Sequence, residues 1–398
     1  MNIDRIRTNF PALAEDTAFF DGAGGTQTPR QVAEAISRTL CAPGSNRGSL
    51  TPSARNSEDV VEEYRQAMAD FLGASPRGIV YGRSATQIAM DFSRALSKLW
   101  KPDDNIVLTR LDHESNVAPW LVAARRAGVT VRWIDLDPVT TDLNYSSALS
   151  AIDERTRLVA VSGASNLLGT RPDVARIAKL AHQYGSFVYV DGVHLAAHAP
   201  ISVELLGADF FVCSAYKFMG PHGATLAADP SLLEQIHPDK LTASTERVPE
   251  RFELGTLPYE LLSGTTAVVN FIAELDAGGA KSRREKILNS MASVEHHDLM
   301  LRSRLEEFLA TLEGVRVHSR AERRTSTLLL TFDDHTPESA GQFLASKNIA
   351  AAHGTFYADS ASRVLGLGTQ GGLRISMAPY LNDGDIDRLL AALSELGS

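Results

Sequence analysis

Cysteine is nearly missing from this chain: Cys41 and Cys213 are the only two among 398 residues. Two thiols so far apart build neither a disulfide framework nor a zinc-ligand spacing, and the expected setting is a reducing, cytoplasmic compartment. Long apolar runs are missing too. No window approaches the roughly 18 apolar residues of a membrane helix. The opening MNIDRIRTNFPALAED lacks the basic–apolar–small order of a signal peptide, so no membrane association is expected. Positive charge is the third scarcity. With 39 Lys and Arg against 48 Asp and Glu, the formal charge is −9 and the pI near 5.7. The densest basic cluster, Arg283 to Lys286, reads as a solvated helix face, so no nucleic-acid partner is expected. Internal repeats and low-complexity linkers are also lacking.

What is there is a strand–helix rhythm. Short β-branched runs at 78–82, 105–109, 129–134, 157–162, 187–191, 210–214 and 224–228 are the expected strands. Between the first six lie amphipathic segments such as QIAMDFSRALSKLW and DVARIAKLAHQYG, the latter stopped by Gly185. That alternation predicts an α/β fold, a mainly parallel seven-stranded sheet between helices. The closely spaced runs within 210–228 suggest one antiparallel member. After ELGTLPYELLSGT the pattern changes to one long helical stretch near 262–313. Short strands then alternate with helices near 336–347 and 383–396, as in a smaller α+β domain with a mixed or antiparallel sheet. The expected division is a large domain over 21–261 and a small C-terminal domain over 262–398, with residues 1–20 packing against the latter.

Within FVCSAYKFMGPHG, Lys217 follows small and apolar residues and precedes a glycine–proline turn. A lysine usually carries its charge to solvent. One held near a strand end has a lowered pKa and can form a Schiff base with an aldehyde such as pyridoxal phosphate. That cofactor also needs a carboxylate on its pyridinium nitrogen and a cradle for its phosphate. Asp191 closes the preceding strand in YVDGVH. Ala85 and Thr86 fall at a helix start in YGRSATQIAM, where free backbone N–H groups favour phosphate. Ser214 and Tyr216 flank the lysine, and His113 of RLDHESNVAPW could cover the pyridine face. Singly, each is ordinary: a strand-end Asp caps or turns, a Thr at a helix start caps it, a lysine is a surface charge, an isolated His is structural. Their order on adjacent strand ends favours the cofactor.

The motifs FDGAGGTQTP, SNRGSLTPSA, GRSATQ, DHESNVAPW, GASNLLGT, VYVDGVHLAAH, SAYKFMGPHG, FELGT, HGTFYA and LRISMAPYLNDGDIDRLL span the chain in order. In them the chain resembles the class V aminotransferase family of pyridoxal phosphate (PLP) enzymes, fold type I, in its cysteine desulfurase-like branch. The resemblance implies Lys217 as the Schiff-base lysine, Asp191 on the pyridinium nitrogen and His113 over the ring. It implies Asn166 and His194 near the ring hydroxyl and the substrate, and Thr86, Ser214 and Tyr216 at the phosphate. Thr256 of FELGT would reach the neighbouring subunit's phosphate, implying a homodimer with shared active sites. Arg374 would clamp the carboxylate of an amino-acid substrate.

The chain departs from that branch in three places. The loop segment AAAHGTFYADSA, where the family carries its persulfide-forming cysteine, has none. Tyr216 stands where a histidine usually precedes the lysine, and the apolar run Ala350 to Ala352 replaces a basic residue. The expected activity is therefore a desulfurase-like C–S lyase working by β-elimination without a persulfide. Transamination comes next, then racemisation or epimerisation. Two further alternatives are a PLP-binding scaffold without activity and a zinc enzyme using Asp191, His194 and His198. GAGGT (22–26) lacks the strand–GxGxxG–helix context of a dinucleotide loop.

Overall fold

The structure, a computed structural model, describes residues 1–396. Gly397 and Ser398, the end of the expected C-terminal domain, lie outside the described residues.

Thirteen strands are present among the described residues: β1 (Ala18–Phe19), β2 (Ile79–Gly82), β3 (Asn105–Thr109), β4 (Thr130–Ile134), β5 (Thr156–Ser162), β6 (Phe187–Asp191), β7 (Phe210–Ser214), β8 (Ala224–Ala228), β9 (Val315–Val317), β10 (Leu328–Phe332), β11 (Ile349–Ala350), β12 (Ala352–Gly354) and β13 (Gly372–Ile375). The seven runs singled out in the sequence become β2 to β8, within a residue at each end, and join one sheet in the order β2-β8-β7-β6-β5-β3-β4. β8 pairs antiparallel with both neighbours, and the remaining pairs are parallel.

These strands are runs of apolar residues because both faces of the sheet are covered. Val159, Val161, Val188 and Val190 enter one core, while Leu158, Ala160, Tyr189 and Phe210 enter the other. The alternation of side chains along a strand sends neighbours to opposite layers. Val174–Gln183 is one covering helix, and Gly185 beyond it takes the left-handed φ of 70° expected of a helix stop.

The long helical stretch expected over 262–313 is two helices, Tyr259–Ala273 and Arg283–Leu309. The break contains Gly278, at φ 57°, and Gly279. Ser282 then opens the second helix in a reciprocal capping box with Glu285. Amphipathic patterns on either side hid this interruption. The smaller sheet is wholly antiparallel, in the order β12-β13-β10-β9. The closely spaced β11 and β12 part company: β12 joins that sheet, while β11 pairs in parallel with β1. The N-terminal segment is also tied to the C-terminal region by an Arg7–Asp385 ion pair of 2.6 Å and by an Asp21–Ser376 bridge.

Candidate active site

Parallel strands present their carboxyl ends at one edge, and β6 and β7 end side by side with Asp191 and Ser214. Gly192 lets the chain leave β6 closely: a Cβ there would stand 1.9 Å from the Phe211 ring. After β7, a 3-10 turn over Ala215–Lys217 swings the lysine back over the strand ends. The cavity formed there encloses about 290 Å³. Ala85, Thr86, His113, Asn166, Asp191, His194, Ser214, Tyr216, Lys217 and Arg374 all line it. Thr256 does not; it lies at a separate pocket beside Gly82 and Glu253.

Lys217 is 9% exposed, and its Nζ donates to the Ala23 carbonyl. Burial first, and the Arg374 charge second, pull its pKa down to about 7, against the opposing pull of Asp191. At neutral pH much of the amine is therefore unprotonated and nucleophilic. Burial pushes the Asp191 carboxyl up to about 6, opposed by a 3.0 Å hydrogen bond from the Val193 N–H, by Lys217 and by Ser115. The two charges lie in a poorly solvated place, where a further cation beside Asp191 would favour its ionised form.

His113 follows β3 and caps the short turn Glu114–Asn116. Its Nδ1 accepts the Ser115 N–H at 3.0 Å, which leaves the ring proton on Nε2. Burial, then Lys217 and Arg374, lower its pKa to about 4, so the ring is neutral at physiological pH. On another wall, the helix Ala85–Ser97 begins after Ser84, whose hydroxyl accepts from the Gln87 N–H. The first-turn residues Ala85 and Thr86 thus face the cavity at the positive end of a helix dipole.

The smaller sheet contributes Arg374 from β13. Its Nη1 donates to the Asn166 carbonyl at 3.0 Å, and its Cζ lies 3.6 Å from the Phe356 ring centroid. Burial lowers its pKa to about 9, with Asp21 and Tyr216 opposing, so the guanidinium is still charged at neutral pH. Three lining residues carry a buried polar atom with no partner among the described residues: Arg374 Nε, Asn166 Oδ1 and His194 Nδ1. Buried polar atoms normally find partners, so their gathering around one cavity suits a polar ligand.

His194 Nε2 lies 3.2 Å from Thr325 Oγ1 and 3.0 Å from Thr327 Oγ1. His198 Nδ1 lies 2.8 Å from Asp298 Oδ2. The two rings whose spacing raised a zinc site meet edge to face at 4.7 Å, yet each takes its own hydrogen-bond partners. Among the described residues no group of three or more His, Cys, Asp or Glu could hold a metal. Tyr216 stacks on His222 at 5.1 Å and carries Lys217 Nζ 5.1 Å from its ring centre.

Sequence reasoning missed Ala23, whose carbonyl receives the lysine, and missed Ser84, Ser115, Phe356 and Tyr357 as cavity walls. GAGGT and HGTFYA held three of these, but their placement depends on contacts far along the chain. Neither thiol lines the cavity. Cys213 is buried in β7, where burial and Asp191 push its pKa well up, and Cys41 is exposed at the end of the helix Arg30–Cys41.

A buried amine, a carboxylate at the next strand end, a flat neutral imidazole and a helix N-terminus fit PLP by the chemistry of the donor set. The chain is an enzyme of the class that uses this cofactor, with the type I fold. It belongs to the aminotransferase class-V family, whose model matches residues 18–389. It is 31% identical to the uncharacterized protein MT3887 of Mycobacterium tuberculosis (strain CDC 1551 / Oshkosh), over all of this chain and 99% of that one. It is 29% identical to a cysteine desulfurase of Dickeya dadantii (strain 3937), over 99% of this chain and 96% of the other. A solved cysteine desulfurase from Thermococcus onnurineus NA1 superposes with a TM-score of 0.90 at 25% identity, covering 99% of this chain and 98% of that one.

Proposed function

We propose that this enzyme is a C–S lyase that cleaves a sulfur-bearing or otherwise β-substituted amino acid by elimination, with no persulfide on the protein. The observation that carries the reading is the composition of the cavity: it collects Lys217, Asp191, His113 and Arg374 and no cysteine. When bound, PLP supplies an aldehyde for the lysine and a ring that accepts electrons from the substrate's Cα. The remaining work falls to side chains. Ala85, Thr86, Ser214 and Tyr216 would hold the phosphate, and Asp191 would keep a proton on the ring nitrogen. His113 would cover one face of the ring, with Asn166 and His194 beside its hydroxyl.

Arg374 has donors left to grip a carboxylate, since only Nη1 has a protein acceptor among the described residues. That grip would orient the Cα–H bond toward Lys217. Its amine, with a pKa near 7, can accept the Cα proton and later return it. In the net reaction the Cα–H and Cβ–S bonds break, and the thiol leaves with a proton. One water is consumed as the remainder becomes a 2-keto acid and ammonia.

The same composition also favours transamination as the second reading, because that reaction needs no thiol either. Residues 262–398 with 1–20 would form the small domain and 21–261 the large one, a division supported by the β1–β11 pairing and the Arg7–Asp385 ion pair. In a cytoplasmic homodimer, Thr256 would serve the neighbouring subunit's phosphate, consistent with its place outside its own cavity.

Holoenzyme mixed with L-cysteine, with alanine, pyruvate, sulfide and pyridoxamine phosphate quantified together, tests this reading. Pyruvate with sulfide is the expected result. Alanine with a protein persulfide overturns it, and pyridoxamine phosphate accumulating without sulfide establishes transamination instead.

A further inference from the structure

Charge divides the walls of the cavity. Among the described residues lining it, the charged groups are Asp191, Lys217 and Arg374, while burial holds His113 and His194 neutral. The proposed function occupies all three charges, with the ring nitrogen, the cofactor aldehyde and the substrate carboxylate. None is left in this subunit's lining for an ionic substrate side chain. In its place stand two adjacent aromatic residues, Phe356 and Tyr357, in the loop after β12.

That loop is held in an unusual backbone. Phe356 and Tyr357 have φ of 54° and 59°, in the left-handed region that side chains with a Cβ rarely adopt. Such strain persists where the surroundings over-determine it, often at ligand sites. Here two successive carbonyls are pinned by hydrogen bonds from distant parts of the chain. Asn166 Nδ2 donates to the Phe356 carbonyl at 2.9 Å, and the Glu114 N–H donates to the Tyr357 carbonyl at 2.7 Å. The pinning sets the Phe356 ring over the Arg374 guanidinium and the Tyr357 ring 5.4 Å from His113. Tyr357 nevertheless stays 68% exposed. The pair therefore spans from the carboxylate-gripping arginine to the imidazole wall, with apolar surface still open to a ligand.

We propose that Phe356 and Tyr357 are the wall that recognises the substrate's side chain, and that the site takes amino acids bearing an uncharged aromatic or bulky apolar β-substituent, such as an S-aryl or S-alkyl thioether, in preference to acidic ones. The proposal rests on the reading of the cavity as a PLP-dependent lyase. A phenyl group brought against two aromatic faces leaves water favourably, whereas a second carboxylate there meets no cation.

The test uses holoenzyme and two carboxylates that lack an amino group and cannot react, 3-phenylpropionate and succinate, titrated by calorimetry. 3-Phenylpropionate binds roughly tenfold or more tightly than succinate. Phe356→Ala and Tyr357→Ala each shrink that ratio, and the exposure of Tyr357 makes its variant the safer one for folding. Equal affinities in the parent enzyme, or a ratio that neither substitution changes, overturn the proposal while leaving the lyase reading intact. Failure of the underlying reading looks different: holoenzyme given L-cysteine yields pyridoxamine phosphate without sulfide, or alanine with a protein persulfide, whatever the two carboxylates do.

Discussion

The strand ends of the large sheet and the loop after β12 build two walls of the same cavity by different means. Asp191 and Lys217 lie at the ends of neighbouring parallel strands whose side chains are buried on both faces, so the sheet fixes them. Phe356, by contrast, sits in a loop, where its carbonyl accepts from Asn166, its ring covers Arg374 and packs at the margin of the core, and its backbone is strained away from its preferred region. Chemistry common to a whole cofactor class can be built into a sheet. Recognition of one substrate side chain is more easily altered in a loop. The division predicts that strand-end substitutions remove the cofactor chemistry outright, and that substitutions on the other wall change which ligand binds and how well.

Lys217→Ala is the severest break. It removes both covalent attachment and the base, so visible absorption from lysine-bound cofactor disappears and turnover falls by roughly 10⁴-fold or more. Absorption and turnover retained in that variant would dissolve the contrast. Arg374→Ala comes next and acts from the other wall. Loss of a bidentate carboxylate partner raises KM by roughly 30- to 100-fold, while cofactor absorption stays. Saturation unchanged from the parent would remove Arg374 from the site.

The two walls are also linked electrically. Covalent attachment of PLP needs the neutral amine of Lys217, whose pKa is depressed to about 7. The attachment rate therefore climbs about tenfold per pH unit below 7 and levels above it. Arg374 is one of the causes of that depression. In Arg374→Ala the midpoint moves to higher pH; a fixed midpoint would mean that burial alone sets the lysine. Stopped-flow absorbance across the pH range reads both outcomes.

Gly192→Ala perturbs the first wall without touching chemistry. Its Cβ would collide with the Phe211 ring, so the sheet edge must shift, destabilising the fold by roughly 1–3 kcal/mol. Thermal unfolding of holoenzyme reads the loss, and an unchanged transition would show that the edge adapts freely.

The same contrast explains what the amino-acid sequence could disclose. β2 to β8 were legible because strands buried on both sides are dense apolar runs bounded by turns, and Asp191 and Lys217 could be placed by counting from those ends. The break between Ala273 and Arg283 was hidden, because the helical pattern on each side outweighed two adjacent glycines within it. HGTFYA was legible as a place lacking a thiol, but not as an aromatic wall. Phe356 meets Asn166 only after the smaller sheet has folded against the large one, and no local pattern encodes a contact between such distant residues. His194 and His198 show a related limit of local spacing. Their spacing suggests shared ligation, yet their partners, Thr327 and Asp298, come from the C-terminal region.

The smallest expected effect tests the claim that neither wall needs a thiol. Cys213 cannot readily act as one: it is fully buried in β7, and burial keeps it protonated. Cys41 is exposed, the more reactive position on accessibility alone, but it ends a helix away from the cavity lining. If elimination releases sulfur directly from the substrate, Cys41→Ser leaves pyruvate and sulfide formation within about twofold of the parent, the range of an ordinary surface substitution. If sulfur passes through the protein, the same change cuts sulfide release by tenfold or more and abolishes a persulfide detectable by mass spectrometry. Because Cys41 adds nothing to either wall, a large effect there cannot be attributed to lost cofactor or a weakened carboxylate grip, and it would place the sulfur chemistry outside the cavity altogether.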